Sequence, residues 1–355
     1  MPIPSGLPLL FYVGTLHSGH SHPVGFLKAG AGAVCFLPGG RQSVRVFREN
    51  FPGVPAGGIC GPTGLFVPPL GESDFEDVFT VCRRQTAAWD SSGADFLYLS
   101  HQNSLADMRA FVLAARGTGL PVIACCNFAS DCEGKEKNSF LPALITLQAM
   151  GAAAVGFCGL PGNGLLSLAK ETLSSASVPL VFTADAQPDW TPSQYAEKIK
   201  PFLDTGIRII GCGQNTTPVH LHAVHELIKR YGPPKIPEEA DCNAATTEQE
   251  AFFLGDDLEF SEPIRCSSLL GDKLIRLGDE GASVALVFIE SVDDAILLGR
   301  NCHLAKLPIA VRTDSSTVLE AALRCFQGRL IIDSSSPIER EVLEPLAAKY
   351  GAIIY

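Results

Sequence analysis

The sequence predicts an α/β protein: a (β/α)₈, TIM-like barrel over residues 1–231, a linker over 232–250, and a smaller truncated, half-barrel-like α/β module over 251–355. Three observations predict it. Short apolar runs alternate with amphipathic stretches through the first two-thirds of the chain, the rhythm of a parallel sheet whose crossovers are helices. Several amphipathic stretches end in glycine just before the next apolar run, at Gly93, Gly119, Gly151 and Gly206, where helix C-termini favour it. The polar, proline-rich segment GPPKIPEEADCNAATTEQE then interrupts the rhythm before it resumes.

Taken in order, the strand candidates are 31–36, 95–99, 121–126, 152–157, 178–183 and 207–211. The helix candidates are 75–91, which follows the N-cap region Glu72-Ser73-Asp74, then 105–118, 140–151, 164–174 and 191–205. About eight βα units fit before residue 231, the number that closes a barrel, although a doubly wound sheet carries the same local signal. After the linker, strands are expected at 283–289, 308–311, 329–332 and 352–355, with helices at 293–302, 316–326 and 338–350. That is too few for a second eight-stranded barrel, so open strand edges are expected to dock on the barrel or to pair with a second copy.

The chain has 355 residues, 46% hydrophobic and 18% charged, with a net charge of -11. A chain this long needs no disulfides to build a core. The acidic balance, with no basic run, argues against nucleic acid and anionic membranes as partners. Mean hydropathy is +0.20, but the longest apolar stretch, 143–160, is broken by Gly151, Gly156 and Gln148. Twelve cysteines without a CxxC pair or a leader-like N-terminus predict free thiols in a cytoplasmic protein.

Three segments carry a family resemblance. They are Gly61-Pro62-Thr63-Gly64 with PLGESDFEDVF (69–79), GAAAVGFCGL (151–160) and GIRIIGCGQNTTPVHLHAV (206–224). In order and spacing they resemble the homocysteine S-methyltransferase domain, the first module of cobalamin-dependent methionine synthase, over roughly residues 55 to 230. VLEAAL (318–323) and IIDSSS (331–336) resemble the first half of that enzyme's folate-binding barrel. The resemblance implies a barrel with its site at the C-terminal ends of the strands, and a zinc ion on three Cys thiolates that activates the homocysteine thiol for methylation.

The family's ligand positions fall here on Gly159, Gly213 and Gln214. Glycine has no side chain and a glutamine amide is a poor zinc ligand, so the three-thiolate site cannot form as written. Cys158 and Cys212 each sit one residue early. With Cys35 they are the candidates for a displaced metal site, the alternative being buried thiols at strand ends. Gly14, Thr15, Ser100, Asn127, Gly211 and Thr216 are the candidate substrate-binding residues. The family's Glu-Thr-Asn-Thr motif reads Cys35-Phe36-Leu37-Pro38, and its Glu-Thr-X-X-Asp motif reads Ser100-His101-Gln102-Asn103-Ser104. In the folate-like half an expected Asp falls at Arg312 and an expected Asn at Asp333, so folate is not expected.

Other clusters have two readings each. His17, His20 and His22 offer three imidazoles for a divalent metal, or form a solvated loop. His220, His222 and His225 lie on a helix beginning near Pro218 and read as its cap and surface. The 211–218 turn is rich in backbone N–H groups that suit an anion, or it simply closes the barrel. No nucleotide-binding or serine-hydrolase motif is present, so no bound nucleotide is expected. Two functions are therefore expected: a homocysteine S-methyltransferase-like enzyme of methionine metabolism with a degenerate zinc site, or a catalytically inactive relative that binds a homocysteine-like ligand or a protein partner.

Overall fold

The computed structural model describes residues 9–13, 23–127, 140–278 and 282–355. Eight parallel strands close a barrel in consecutive order: β1 (Leu9–Val13), β2 (Ala33–Phe36), β3 (Ala56–Cys60), β4 (Phe96–Gln102), β5 (Val122–Asn127), β6 (Ala154–Gly159), β7 (Leu180–Ala184) and β8 (Ile209–Cys212). Closure is made by β8 on β1, with Leu9 beside Ile209 and Tyr12 beside Cys212. The intervening helices are α1 (Pro23–Lys28), α2 (Arg41–Asn50), α3 (Phe75–Ser92), α4 (Leu105–Ala115), α5 (Phe140–Ala149), α6 (Asn163–Thr172), α7 (Pro192–Thr205) and α8 (Pro218–Ile228). All six apolar runs named from the sequence become strands, and Gly93, Gly119, Gly151 and Gly206 all adopt positive φ.

The pleat sends alternate residues inward. The barrel interior is packed by Phe11, Phe96, Tyr98, Ile123, Val181 and Ile209. Each large apolar side chain buried this way contributes about 1.5–3 kcal/mol. Outward residues meet the helices: Phe182 of β7 stacks on Phe202 of α7 with ring centroids 4.2 Å apart. Strand β3 (AGGIC) gave no strand signal because two of its five residues are glycine. Both glycines are required by packing. A Cβ at Gly57 would lie 2.5 Å from the Phe96 ring, and one at Gly58 would lie 2.3 Å from the Trp89 indole. Trp89 in turn donates its indole N–H to Ile59 O at 3.2 Å. The Gly61–Gly64 motif is explained by Thr63, whose backbone N–H and hydroxyl both donate to the buried Asp107 carboxylate, at 2.7 and 2.8 Å.

Two compact units divide the chain: Met1–Thr63 with Thr80–Lys137 and Ala152–Asp241, and Gly64–Phe79 with Asn138–Gly151 and Cys242–Tyr355. The second unit adds β9 (Ala244–Thr246), β10 (Ala251–Phe253), β11 (Ile264–Arg265), α9 (Leu270–Leu277), β12 (Ala285–Phe288), α10 (Val292–Asn301), β13 (Ile309–Arg312), α11 (Ser316–Cys325), β14 (Ile331–Ile332), α12 (Arg340–Tyr350) and β15 (Ile353–Ile354). Strands β11 to β15 form a parallel sheet in sequence order, and β9 and β10 form an antiparallel hairpin. The sheet therefore has five strands rather than four, because β11 is only two residues long and carries no periodic signal.

Residues 244–246, inside the stretch expected as a linker, are instead a buried strand. Its order comes from Arg329, which donates to Gly351 O, Cys242 O and Ala244 O at 2.7, 2.8 and 3.1 Å. The hairpin and the segment after it cover one face of the sheet: Ala245, Leu254, Leu258 and Phe260 pack on Leu286, Ala310, Ile331 and Ile353. The outer strands β11 and β15 present two residues each, and short edges of this kind limit unwanted pairing. Tyr355 fastens the β15 edge: its hydroxyl donates to Asp256 O at 2.9 Å and accepts from Leu258 N–H at 3.1 Å. Among the described residues no helix is long and apolar enough to cross a membrane.

Candidate functional site

In a parallel barrel the chemistry gathers at the C-terminal ends of the strands. There β4 ends in a bulge, its register against β5 shifting between Leu99 and Gln102. The bulge puts His101 at φ +52°. A non-glycine residue in this region costs about 1–2 kcal/mol, and such strain clusters at functional sites. The ring is held by a 2.6 Å hydrogen bond between His101 Nδ1 and Ser100 Oγ. His101 Nε2 is buried and has no hydrogen-bond partner among the described residues, and the same is true of Gln102 Oε1.

A buried polar cluster lies at the same level inside the barrel. The Tyr98 hydroxyl is 2.6 Å from Thr183 Oγ1 and 3.6 Å from Cys158 Sγ, and Cys125 Sγ is 4.0 Å from Thr183 Oγ1. Burial pushes the Cys125 thiol up. Burial acts the same way on Cys158. There it is outweighed by the hydrogen bond from Cys125, the nearby His101 imidazole and backbone amide, and the Tyr98 hydroxyl, and the thiol falls to about 7.

Asp185 follows the last residue of β7. Burial raises its carboxyl, while the Gln214 amide and the His101 imidazole pull it down. Gln214 N–H donates to Asp185 Oδ1 at 2.6 Å, Asp185 N–H to Gly159 O at 3.0 Å and Gly213 N–H to Ala184 O at 2.9 Å. The Thr216 hydroxyl closes the turn on Gly213 O at 2.6 Å. His220 completes the α8 cap: its Nε2–H donates to Trp190 O at 2.9 Å, and its Nδ1 accepts from Thr217. The amides of Gly213, Gln214 and Thr217 are thus already engaged within the turn. His220 serves as a cap, as its position suggests. The His225 ring packs against Gly30, where a Cβ would lie 2.4 Å from it.

The family model for homocysteine S-methyltransferases matches residues 40–228, more than half of the chain. The chain belongs to the homocysteine S-methyltransferase family. Among solved structures it is similar to the homocysteine methyltransferase MmuM from Escherichia coli. The apo form is 15% identical, with a TM-score of 0.49, over 61% of this chain and 95% of that one. The metallated form is 14% identical, with a TM-score of 0.47, over 62% and 96%. The carboxyl transferase domain of Rhizobium etli pyruvate carboxylase, solved as a Y628A variant with pyruvate, is 13% identical, with a TM-score of 0.42, over 62% and 47%.

The zinc that this family implies does not fit the residues present. Cys158 points into the barrel, among the interior residues. Cys212 points the other way, into the helix layer, where its sulfur lies 4.0 Å from the Tyr195 hydroxyl of α7, and burial pushes its thiol up to about 12. Cys158 is level with Thr183 and Gly211 in register, and Cys212 lies one residue beyond, so the pleat puts the two sulfurs on opposite faces of the sheet. Cys35 is also interior, but its sulfur sits against Gly57 of β3, and burial pushes its thiol up. The displaced site of Cys158, Cys212 and Cys35 does not assemble, and no group of three potential ligands comes together among the described residues. At the family position Gly213, a Cβ would lie 2.2 Å from Asp185 Oδ1, so the carboxylate fills the space a ligand side chain would use. Gly159 presents only backbone, and Gln214 is exposed.

Of the substrate-binding candidates, Ser100 and Asn127 stand at the ends of β4 and β5, Asn127 beside Cys158 in register. Gly211 leaves room for Thr183 and Phe11, whose atoms a Cβ would approach to 2.6 and 2.7 Å. Gly14, Thr15, His17, His20 and His22 lie outside the described residues. Sequence reasoning missed His101, Asp185 and Tyr98 as site residues. Asp185 carried a usable signal, a carboxylate directly after an apolar strand. His101 carried none, because a β-bulge has no sequence periodicity. In the second unit, Arg312 and Asp333 pair with each other at 2.5 Å.

Proposed function

We propose that this chain is a homocysteine S-methyltransferase-like protein of methionine metabolism with a degenerate zinc site, which binds a homocysteine-like thiol at its barrel mouth without a three-thiolate metal centre. The observation that carries this reading is the placement of Asp185 in the space of Gly213, with Cys212 turned to the helix layer. The mouth remains polar, with His101, Ser100, Asn127 and Asp185 at strand ends, but it offers no thiolate triad. A second reading, a catalytically inactive relative acting as a ligand- or partner-binding subunit, is favoured by the loss of side-chain donors at both glycine ligand positions.

The test is the zinc content of protein purified reduced and without an affinity tag, paired with a homocysteine titration. The expected result is zinc far below one per chain, with homocysteine bound. Zinc near one per chain, with a proton released as homocysteine binds, would overturn the degenerate-site reading. Absence of homocysteine binding would overturn the thiol-binding reading and leave the partner-binding subunit.

A further inference from the structure

We propose that His101 Nε2 is the proton acceptor for the thiol ligand of this mouth, doing with an imidazole what the family does with a metal ion. The inference rests on the thiol-binding reading above. Three observations converge on it. The imidazole is held off ordinary strand geometry, at φ +52° on the β4 bulge. Its Nδ1 is tied to Ser100 Oγ at 2.6 Å, which fixes the ring. Its Nε2 is buried without a partner among the described residues, and a buried polar atom in that state calls for a ligand or a role.

His101 stands by the C-terminal end of β4, and Asp185 follows the C-terminal end of β7, three strands round the same barrel. The nearby imidazole draws down both Asp185 and Cys158. With Nδ1–H donating to Ser100, Nε2 holds the free lone pair. A bound thiol then gives its proton to Nε2: the S–H bond breaks, the N–H bond forms, the sulfur keeps the electron pair, and the products are an imidazolium and a thiolate. The Asp185 carboxylate, which the His101 imidazole already draws down, offsets part of the new positive charge. A free thiol ionises near 8.5, so a paired imidazole suffices to bring it into range at neutral pH.

The test uses the full-length, reduced, chelator-treated protein with L-homocysteine as probe. Affinity is read by calorimetry, and ionisation by the ultraviolet difference absorbance of the thiolate. The variants are His101→Asn, since asparagine tolerates the left-handed region, and Cys158→Ala, each checked for folding by thermal melt. In the wild type, binding is expected with a thiolate signal. In His101→Asn the signal is expected to vanish and affinity to fall roughly 10- to 100-fold, the loss of one hydrogen bond to a charged group. In Cys158→Ala the signal is expected to persist. An unchanged thiolate signal in folded His101→Asn, homocysteine bound to the wild type as a neutral thiol, or loss of the signal in folded Cys158→Ala would each overturn the inference while leaving thiol binding intact. If His101→Asn does not fold, Ser100→Ala, which frees the ring, is expected to weaken the signal, and an unchanged signal there overturns the inference. If the wild type binds no homocysteine, the thiol-binding reading falls and takes the inference with it.

Discussion

The carboxylate of Asp185 occupies the space into which a side chain at Gly213 would project: a Cβ built there lies 2.2 Å from Oδ1. The two residues sit on neighbouring strand ends, joined by the Gln214 amide, which donates to the same oxygen at 2.6 Å. Glycine at 213 and aspartate at 185 are therefore one structural decision. Gly213→Ala alone is expected to cost about 1–3 kcal/mol, the range for overpacking a filled site. In an Asp185→Ala background the cost is expected to fall, giving a coupling of roughly 0.5–3 kcal/mol. A double-mutant cycle by urea denaturation measures it, and additive costs would contradict it.

Asp185 also sets a pH dependence. Burial raises its carboxyl in the folded chain, with the Gln214 amide opposing. The unfolded chain therefore loses this proton at lower pH than the folded chain, and as pH climbs through the interval between the two values the group's contribution to stability falls. Asp185→Asn removes this term. Relative to wild type, the variant is expected to be more stable near neutral pH than at about pH 4, where the gap closes. Urea midpoints at the two pH values check the sign, and a gap that widens in acid would refute it.

Gly58 and the Trp89 indole form a second close pair, 2.3 Å apart once a Cβ is added. Trp89 is fully buried and bonded to Ile59 O, so it has little freedom to yield. Gly58→Ala is expected to destabilise the barrel by about 1–3 kcal/mol. A lowered thermal midpoint is the readout, and an unchanged one would show that the indole yields.

In the second unit, the clasp of Arg329 on Cys242 O, Ala244 O and Gly351 O orders the hairpin that covers the sheet. Arg329→Met keeps the side chain's bulk and removes the donors. It is expected to cost about 2–4 kcal/mol, since three partly buried carbonyls lose a donor at once, and to speed amide exchange in 244–253 before the rest of the unit. Uniform exchange across the unit would mean that the hairpin is held by its apolar contacts instead.

The barrel was legible because its signals are local. Six apolar runs and four glycine-capped helices survive as elements, and the order of the family motifs follows from what they hold: Thr63 on Asp107, Thr216 on Gly213, His220 in the α8 cap. Strand β3 was not legible, because Gly57 and Gly58 are chosen by Phe96 and Trp89, residues distant in sequence. The same holds for β9, whose order is supplied by Arg329. At the mouth, the sequence offered Cys158, Cys212 and Cys35 as candidates but not the direction in which each side chain points. The direction of Cys212 depends on the pleat of β8, and the prominence of His101 depends on a bulge, so both are settled only by register.

The inward glycines have a consequence for how this mouth can change over generations. Each has its missing volume taken by a partner: Asp185 at 213, Thr183 and Phe11 at 211, Phe96 at 57. No such position can drift alone. A lineage moving between this mouth and one with a thiol at 213 must retire the carboxylate first, since the opposite order passes through a crowded intermediate. Residues 185 and 213 should therefore be inherited as a couple.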